Sequence, residues 1–500
     1  MKKKLHQKAQ KRKKRLAEKR RKRHDNSKPI FKTTKATYDM SDRITATNNG
    51  GIGIVHDMVN RLALPKLIND ELPILARHNP YYESDHILNM AYNVLCNGYV
   101  LEDIKLLKSD EAYLNAMGAG RIPDPTTSGD FCRRFSDDDI LRLMNIINKK
   151  RVEVWKTQDD SFFKIAFIDI DSIIVRTYGE CKEGMDISYK GIWGYHPLLI
   201  SLANSNEPLF IVNRPGNAHS NKGSGEWMDR AIELCQTAGF RKVLLRGDSA
   251  FPLTEKFDEW DNNGVKFVFS ISAMPNLVES MDFFEESDWD ILVRKIEKEF
   301  TRKRPERVKE KIIEDRGYKN LKVEKEDILE ISYRPTKCTK EYRIVALRKT
   351  ISEQRFGESV FENYRYFFYI TNDNDLSMYD VICEANKRCN QENLNEQLQN
   401  GTCSLKAPLN SLLSNWAYMV ITSVAWTLKS WLGLLFPVSL DNKEEDEKEK
   451  SRIVAMEFRT FINNFIKIPA QIVRSGRRLI YRLLAWKPKL DVFLKMVLIE

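Results

Sequence analysis

Nothing in the 500-residue sequence sets up a disulfide framework or a zinc site. Its 8 cysteines are scattered, at positions 96, 132, 181, 235, 338, 383, 389 and 403, and no two form a C-x-x-C pair. That scatter excludes the common zinc patterns and fits a reducing compartment, so a cytoplasmic location is expected. The N-terminus has no apolar stretch of the secretory kind, so no signal peptide is read there. Clean apolar runs are missing as well. The nearest is Leu412 to Phe436, but Asn415, Ser423 and Lys429 interrupt it and its aromatic residues are spread through it. This pattern predicts a buried core helix and no membrane partner.

Charge is present in excess and unevenly placed. The chain carries a formal net charge of +11. Met1 to Arg23 alone contributes roughly 13 positive charges, so the rest of the chain is close to neutral. A block this dense is expected to be a disordered arm that contacts phosphates without reading sequence. The basic balance points to an acidic polymer as partner.

Five hundred residues exceed one core, and the pattern changes along the chain. After the arm and linker (1–49), apolar residues at i, i+3, i+4 spacing predict a helical domain over 50–157. Within it DPTTSGDFCRRF supplies a turn, with Thr127 or Ser128 as the expected helix cap. At Phe162 the pattern becomes β-branched and apolar. FFKIAFIDIDSIIVRTYG, PLLISLAN, PLFIVNRPG and RKVLLRGDSAF read as strands, with EWMDRAIELCQTAG as an amphipathic helix among them. This order predicts an α/β core, assigned to 158–254 and 366–440. KFVFSISA and EYRIVALRK are further strands, and 255–365 is expected to be a β-rich insertion. The stretch from about 380 to 400 reads as one long polar helix. Residues 441–500 are read as a charged, mobile linker (442–450) and a basic helical C-terminal region.

Three acids stand out. Asp169 and Asp171 lie inside the strand I-A-F-I-D-I-D-S, and alternation puts both on one face. Two like charges side by side in an apolar strand require a cation or donors. Asp248 follows a buried strand directly, where a carboxylate projects into a cleft. Glu392 shares one polar helix face with Arg388, Glu396 and Gln399. Two strand acids and one helix acid suit two divalent cations, and oxygen ligands select Mg²⁺ or Mn²⁺.

In this order and spacing, DIDSIIVRTYG, GYHPLL, NRPGNAHS, LLRGDSAF and RCNQENLNEQLQNG followed by SNWAYMVITSVAWTLK resemble the bacterial insertion-sequence transposases of the DDE class. SDHILNMAYNVLCNGYVLEDIKLLKSD and TTSGDFCRRF resemble that family's helical region. The resemblance implies an RNase H-like catalytic core with a β-rich insertion, an all-helical DNA-binding domain before it and a helical region after it. It implies Asp171, Asp248 and Glu392 as the catalytic, metal-binding acids of a two-metal site. Asp169 competes with Asp171 for the first position and is a further candidate metal ligand. The activity implied is cut-and-paste transposition: binding of inverted terminal repeats, DNA cleavage and 3′-end strand transfer by a homodimeric synaptic complex on double-stranded DNA, associated with the bacterial nucleoid. A nuclease or resolvase without strand transfer, and a DNA-binding derivative without catalysis, are the alternatives.

The family often surrounds its third acid with a Tyr–Arg–Glu–Lys set. Here Arg388 and Glu392 are kept, while Ala385 stands at the Tyr position and Gln399 at the Lys position. Arg388 and Gln399 are the expected phosphate clamp, with Gln399 donating hydrogen bonds but no charge. Arg214 and His219 either touch DNA phosphate or hold a loop. His196 is read as structural. Trp260 and Trp289 are read as core residues, with base stacking as the alternative. Arg474, Arg477, Arg478 and Arg482, at helical spacing, suit backbone contacts to DNA.

Overall fold

A computed structural model describes residues 2–21, 36–294, 308–356, 358–476, 478–485 and 487–497. Its first element corrects an expectation. The basic arm is a helix, α1 (Lys2–Arg21), rather than disordered chain. The segment contains no Gly, Pro or β-branched residue, and its Lys, Arg, Gln, Ala, Leu and Glu side chains lose little freedom in a helix. On a solvated rod the like charges splay outward, so charge density does not decide local conformation.

After β1 (Ala46–Thr47) come α2 (Ile52–Arg61), α3 (Leu64–Glu71), α4 (Glu83–Leu95), α5 (Ile104–Lys108), α6 (Glu111–Met117), α7 (Pro125–Cys132) and α8 (Asp137–Trp155). The cap of α7 is Asp124, not Thr127 or Ser128. Its carboxylate accepts from the Thr127 amide, and Pro125 occupies the first helical position. Ser136 caps α8, and Asp139 answers back to the Ser136 amide.

The central sheet starts with β2 (Ile165–Ser172). A small three-stranded outgrowth follows: β3 (Val175–Arg176), β4 (Asp186–Ile187) and β5 (Trp193–Tyr195). The chain returns through β6 (Leu198–Leu202) and β7 (Glu207–Val212), crosses by α9 (Ser224–Ala238) to β8 (Lys242–Gly247), and by α10 (Thr254–Asn262) to β9 (Lys266–Ile271). These five strands lie in the order β7-β6-β2-β8-β9. Both β2–β6 and β6–β7 are antiparallel, while β2–β8 and β8–β9 are parallel. β6, β7 and β8 are buried on both faces, which is why they read as apolar runs.

Among the described residues, the segment between the second and third acids builds no separate sheet. After α11 (Pro275–Ser280), β10 (Asp290–Ile291) and α12 (Val308–Asp315), it forms the long strands β11 (Asn320–Tyr333), β12 (Tyr342–Arg355) and β13 (Glu358–Thr371). β13 pairs antiparallel with β9, so one nine-stranded sheet runs from β10 to β7.

The expected polar helix is broken in two, α13 (Met378–Lys387) and α14 (Cys389–Glu396), and ends in a π-helical turn over Gln397–Gly401. α15 (Leu412–Leu434) is the expected buried helix, buried continuously from Ser414 to Leu434 and packed on α4, α8 and β7. Among the described residues no helix is long and apolar enough to cross a membrane.

Two C-terminal expectations are corrected. The acidic stretch is a helix, α16 (Lys443–Val454), not a mobile linker. Glu444, Glu445 and Asp446 complement its N-terminal dipole, and the buried Asp446 and Glu449 receive Lys495 at 2.5 Å and Lys489 at 2.7 Å. After α17 (Phe458–Phe461), the basic segment is a hairpin, β14 (Ala470–Ser475) and β15 (Arg478–Leu483), not a helix; α18 (Leu490–Met496) ends the described chain. Gly476, at φ 56°, makes the turn that a helix would exclude. β14 also pairs with β1, and the Tyr481 hydroxyl donates to the Ala116 carbonyl at 2.9 Å, closing the C-terminus onto the helical region.

Candidate active site

The end of β2 carries Asp169, Ser172 and, between them, Asp171. The neighbouring β8 is parallel and in register, pairing Asp169 with Arg246. Arg246 binds both oxygens of Asp169, at 2.6 and 2.9 Å, and reaches Glu384 of α13 at 3.0 Å. Asp169 is 1% and Arg246 3% exposed. Burial pushes the Asp169 carboxyl up, and Arg246 opposes that push. Both oxygens of Asp169 are thus committed inside the sheet. Two residues further along each strand stand Asp171 and Asp248, beyond this ion pair. Gly247 precedes Asp248 because a Cβ there would press Ile170 and Phe269 at 3.0 Å.

Asp171 is 14% exposed and lies 4.0 Å from the Arg388 guanidinium. Burial is the main cause that pushes its carboxyl up to about 6; Asp248 and Glu392 add to the rise, while the Ser172 amide and Arg388 resist it. Its Oδ1 accepts from the Ser172 amide at 2.8 Å and its Oδ2 from Asn395 Nδ2 at 2.9 Å. Asp248 is half-buried and its Oδ1 accepts from the Ala250 amide at 2.8 Å, holding the turn that follows β8.

Arg388 sits at the break between α13 and α14. Its guanidinium lies 3.0 Å from Glu392 and 4.0 Å from Asp171. Glu392 is 59% exposed, so its carboxylate is held at the mouth by Arg388 rather than driven in against two like charges. Among the described residues no three Asp, Glu, His or Cys side chains are grouped closely enough to hold a metal ion as placed. The acids approach closely enough to shift Asp171, and Arg388 supplies the balancing charge.

A family model described as Transposase DDE domain group 1 matches residues 41–499. The chain belongs to this transposase family. Among solved structures, the transposase resembles a cryo-EM structure of a piggyBac transposase synaptic complex with hairpin DNA, at 9% identity and a TM-score of 0.34, over 85% of this chain and 83% of that one. No curated protein matches it.

The remaining sequence candidates of the transposase fall in different places. Arg214 is buried and does not face solvent. Its Nε donates to the His196 carbonyl at 2.9 Å, and its Nη1 to the carbonyls of Ser220 and Lys222 at 3.0 and 2.8 Å. It therefore holds the loop in this structure. His219 is exposed and pairs with the Asn221 side chain at 2.7 Å. His196 is buried, its Nδ1 on the Ala218 carbonyl at 2.8 Å. Gln399 is half-buried in the π-helical turn beyond α14. Trp260 and Trp289 are both core residues; the first donates to Asp229 at 2.9 Å and the second lies under Arg348 at 4.3 Å. Arg474 and Arg478 are exposed on opposite strands of the hairpin, paired through Ser475 and Arg478 at its turn. Arg477 lies outside the described residues.

Sequence reasoning missed Arg246, Glu384, Gln391 and Asn395. A charged residue two places before Asp248 in an otherwise apolar strand was a legible signal for Arg246. Gln391 and Asn395, spaced i and i+4 beside Glu392, gave a weaker one, because nothing in the sequence says that this face is buried.

Proposed function

We propose that this transposase excises a DNA element by cleavage at its ends and joins the 3′ ends to a target, with Asp171, Asp248 and Glu392 as its catalytic acids. The observation that carries this reading is the placement of Asp171: it is held by the Ser172 amide and Asn395 at the end of β2, beside Arg388 and near Asp248 and Glu392, in a chain of the DDE family. Acids placed at neighbouring element ends offer the oxygen donors that a hard divalent cation takes. The donors are all oxygen, the local charge is negative, and Asp171 is held ready by two hydrogen bonds. Asp171, Asp248 and Glu392 would hold Mg²⁺ or Mn²⁺ ions, two in a complete site; bound ions activate the attacking oxygen and stabilise the leaving one. Asp169 is not in this set, because Arg246 occupies it.

The strand order β7-β6-β2-β8-β9, with only the second strand antiparallel to its two neighbours, supports an RNase H-like core. In it Arg388 balances the acids until substrate arrives and then faces the phosphate. Gln399 lends a neutral donor at the far end of the same helical segment. α1 and the exposed hairpin arginines Arg474 and Arg478 bind backbone phosphates of double-stranded DNA without reading sequence. The protein acts as a homodimer that pairs two element ends.

The test is reaction of purified protein with DNA carrying the inverted repeats that flank its gene. Under this reading the wild type releases the element and inserts it into a target plasmid, and Asp248→Ala does neither. Cleavage without joining would indicate a nuclease. Equal retention of DNA by both proteins with no cleavage by either would indicate a binding protein.

A further inference from the structure

Three buried polar side chains form a line that ends on Asp171. Ser201, on β6, donates its hydroxyl to Gln391 Oε1. Gln391 Nε2 donates to Asn395 Oδ1 at 3.1 Å. Asn395 Nδ2 donates to Asp171 Oδ2 at 2.9 Å. Ser201 is 2%, Gln391 1% and Asn395 6% exposed. Burying two carboxamides between a helix and a sheet is costly unless each bond is made, and apolar side chains would pack there at less cost.

The line has one polarity. Asn395 has its oxygen occupied by Gln391, whose own oxygen is occupied by Ser201, so an N–H must point at Asp171. Turning the Asn395 amide over would set its oxygen against a carboxylate and leave Gln391 without an acceptor. With the Ser172 amide on Oδ1 and Asn395 on Oδ2, both Asp171 oxygens are held. Gln391 and Asn395 are one turn apart and flank Glu392, so the same segment that presents the third acid also orients the first.

We propose that Asn395, backed by Gln391 and Ser201, is a positioning residue that fixes the Asp171 carboxylate for cation binding and DNA cleavage. This rests on the assignment of Asp171 as a catalytic acid. Asn395 touches no reacting atom; it acts through Asp171. Supporting contacts of this type, when removed, cost about 10–100-fold in metal affinity or activity.

The experiment compares full-length wild type with Asn395→Ala, Asn395→Leu and Asn395→Asp. Two readouts are used: Mn²⁺ binding followed by electron paramagnetic resonance without DNA, and single-turnover cleavage of end DNA. Asn395→Ala and Asn395→Leu are expected to bind Mn²⁺ at least 10-fold more weakly and to cleave at least 10-fold more slowly, with DNA affinity unchanged. Asn395→Asp, which turns the donor into a second carboxylate, is expected to cleave more slowly still. Where Asn395→Asp does not fold, the Ala and Leu variants carry the test. Wild-type Mn²⁺ affinity and cleavage in Asn395→Ala overturn the proposal while leaving the acids in place. A wild type that binds no Mn²⁺ and cleaves no DNA overturns the assignment of the acids, and this proposal with it.

Discussion

Asp169 and Arg246 face each other in register across the parallel strands β2 and β8, joined by two hydrogen bonds and sealed from solvent. Each stands two residues before a candidate catalytic acid, Asp171 on one strand and Asp248 on the other. Arg246 also holds Glu384, two helical turns before Glu392. One guanidinium therefore ties β2, which carries Asp171, and β8, which leads into Asp248, to α13, the helix that precedes the one carrying Glu392. Removing Arg246 leaves Asp169 as an unpaired buried charge, a loss of roughly 3–5 kcal/mol, whereas removing Asp169 leaves Arg246 paired with Glu384 alone. Arg246→Met and Asp169→Asn should both lower the urea midpoint, and the double variant should lose less than the sum of the two. Additive losses would mean that the pair is not coupled.

Asp171 is held in a site that disfavours its charge. Its folded carboxyl stands at about 6, above its ordinary value of 3.8, so the folded protein holds the extra proton between those limits. The associated stability is fully present below about pH 4 and is lost as pH rises through 6. At pH 7 the ionised acid therefore costs the fold up to about 3 kcal/mol. In buffer with EDTA, Asp171→Asn should be more stable than wild type at pH 7 and nearly equal to it at pH 4. An offset that does not change between the two pH values would argue against a raised Asp171 carboxyl in the folded protein.

Lys429 makes the opposite case. It is fully buried in α15, donates to the Val454 carbonyl and lies 4.1 Å above the Trp426 ring. Burial pushes its ammonium down to about 7. A depressed folded pKa means that stability is complete above the ordinary lysine range near 10.5 and is lost as pH falls through 7. Wild-type stability should therefore rise by a few kcal/mol between pH 7 and pH 10, on the order set by the shift. Lys429→Met should remove that rise, as read from thermal melting across the range.

The hairpin arginines give a prediction about DNA. If Arg474 and Arg478 contact phosphates, the slope of log affinity against log salt should become shallower by about 2 in the double Ala variant, with the same change on any DNA sequence. An unchanged slope would leave these residues as a solvated face.

Much of this fold was legible because its patterns are local. The apolar stripe of α2 to α8, the β-branched runs of β2, β6 and β8, and the largely apolar stretch of α15 each announce their element within a window of residues. The errors share a physical origin. α1 and α16 are dense in charge, a pattern that reads as disorder although their residues favour helix. β14 and β15 carry arginines at a spacing that also fits a helix, and only Gly476 and the pairing with β1 select the hairpin. At the site, Asp169 and Asp171 are indistinguishable by alternation, since both point to one side of β2. What separates them is Arg246, 77 residues away in sequence. The line from Ser201 to Asp171 was illegible for the same reason: it joins residues 190 apart.

The most direct test of the account measures divalent-dependent nicking of end DNA by four variants below their melting temperatures. Asp171→Asn, Asp248→Asn and Glu392→Gln should each lose cleavage by at least a thousandfold while still binding DNA. Asp169→Asn, though less stable, should retain cleavage within about tenfold of wild type. Loss of cleavage in folded Asp169→Asn together with its retention in Asp171→Asn would contradict the assignment of the first acid.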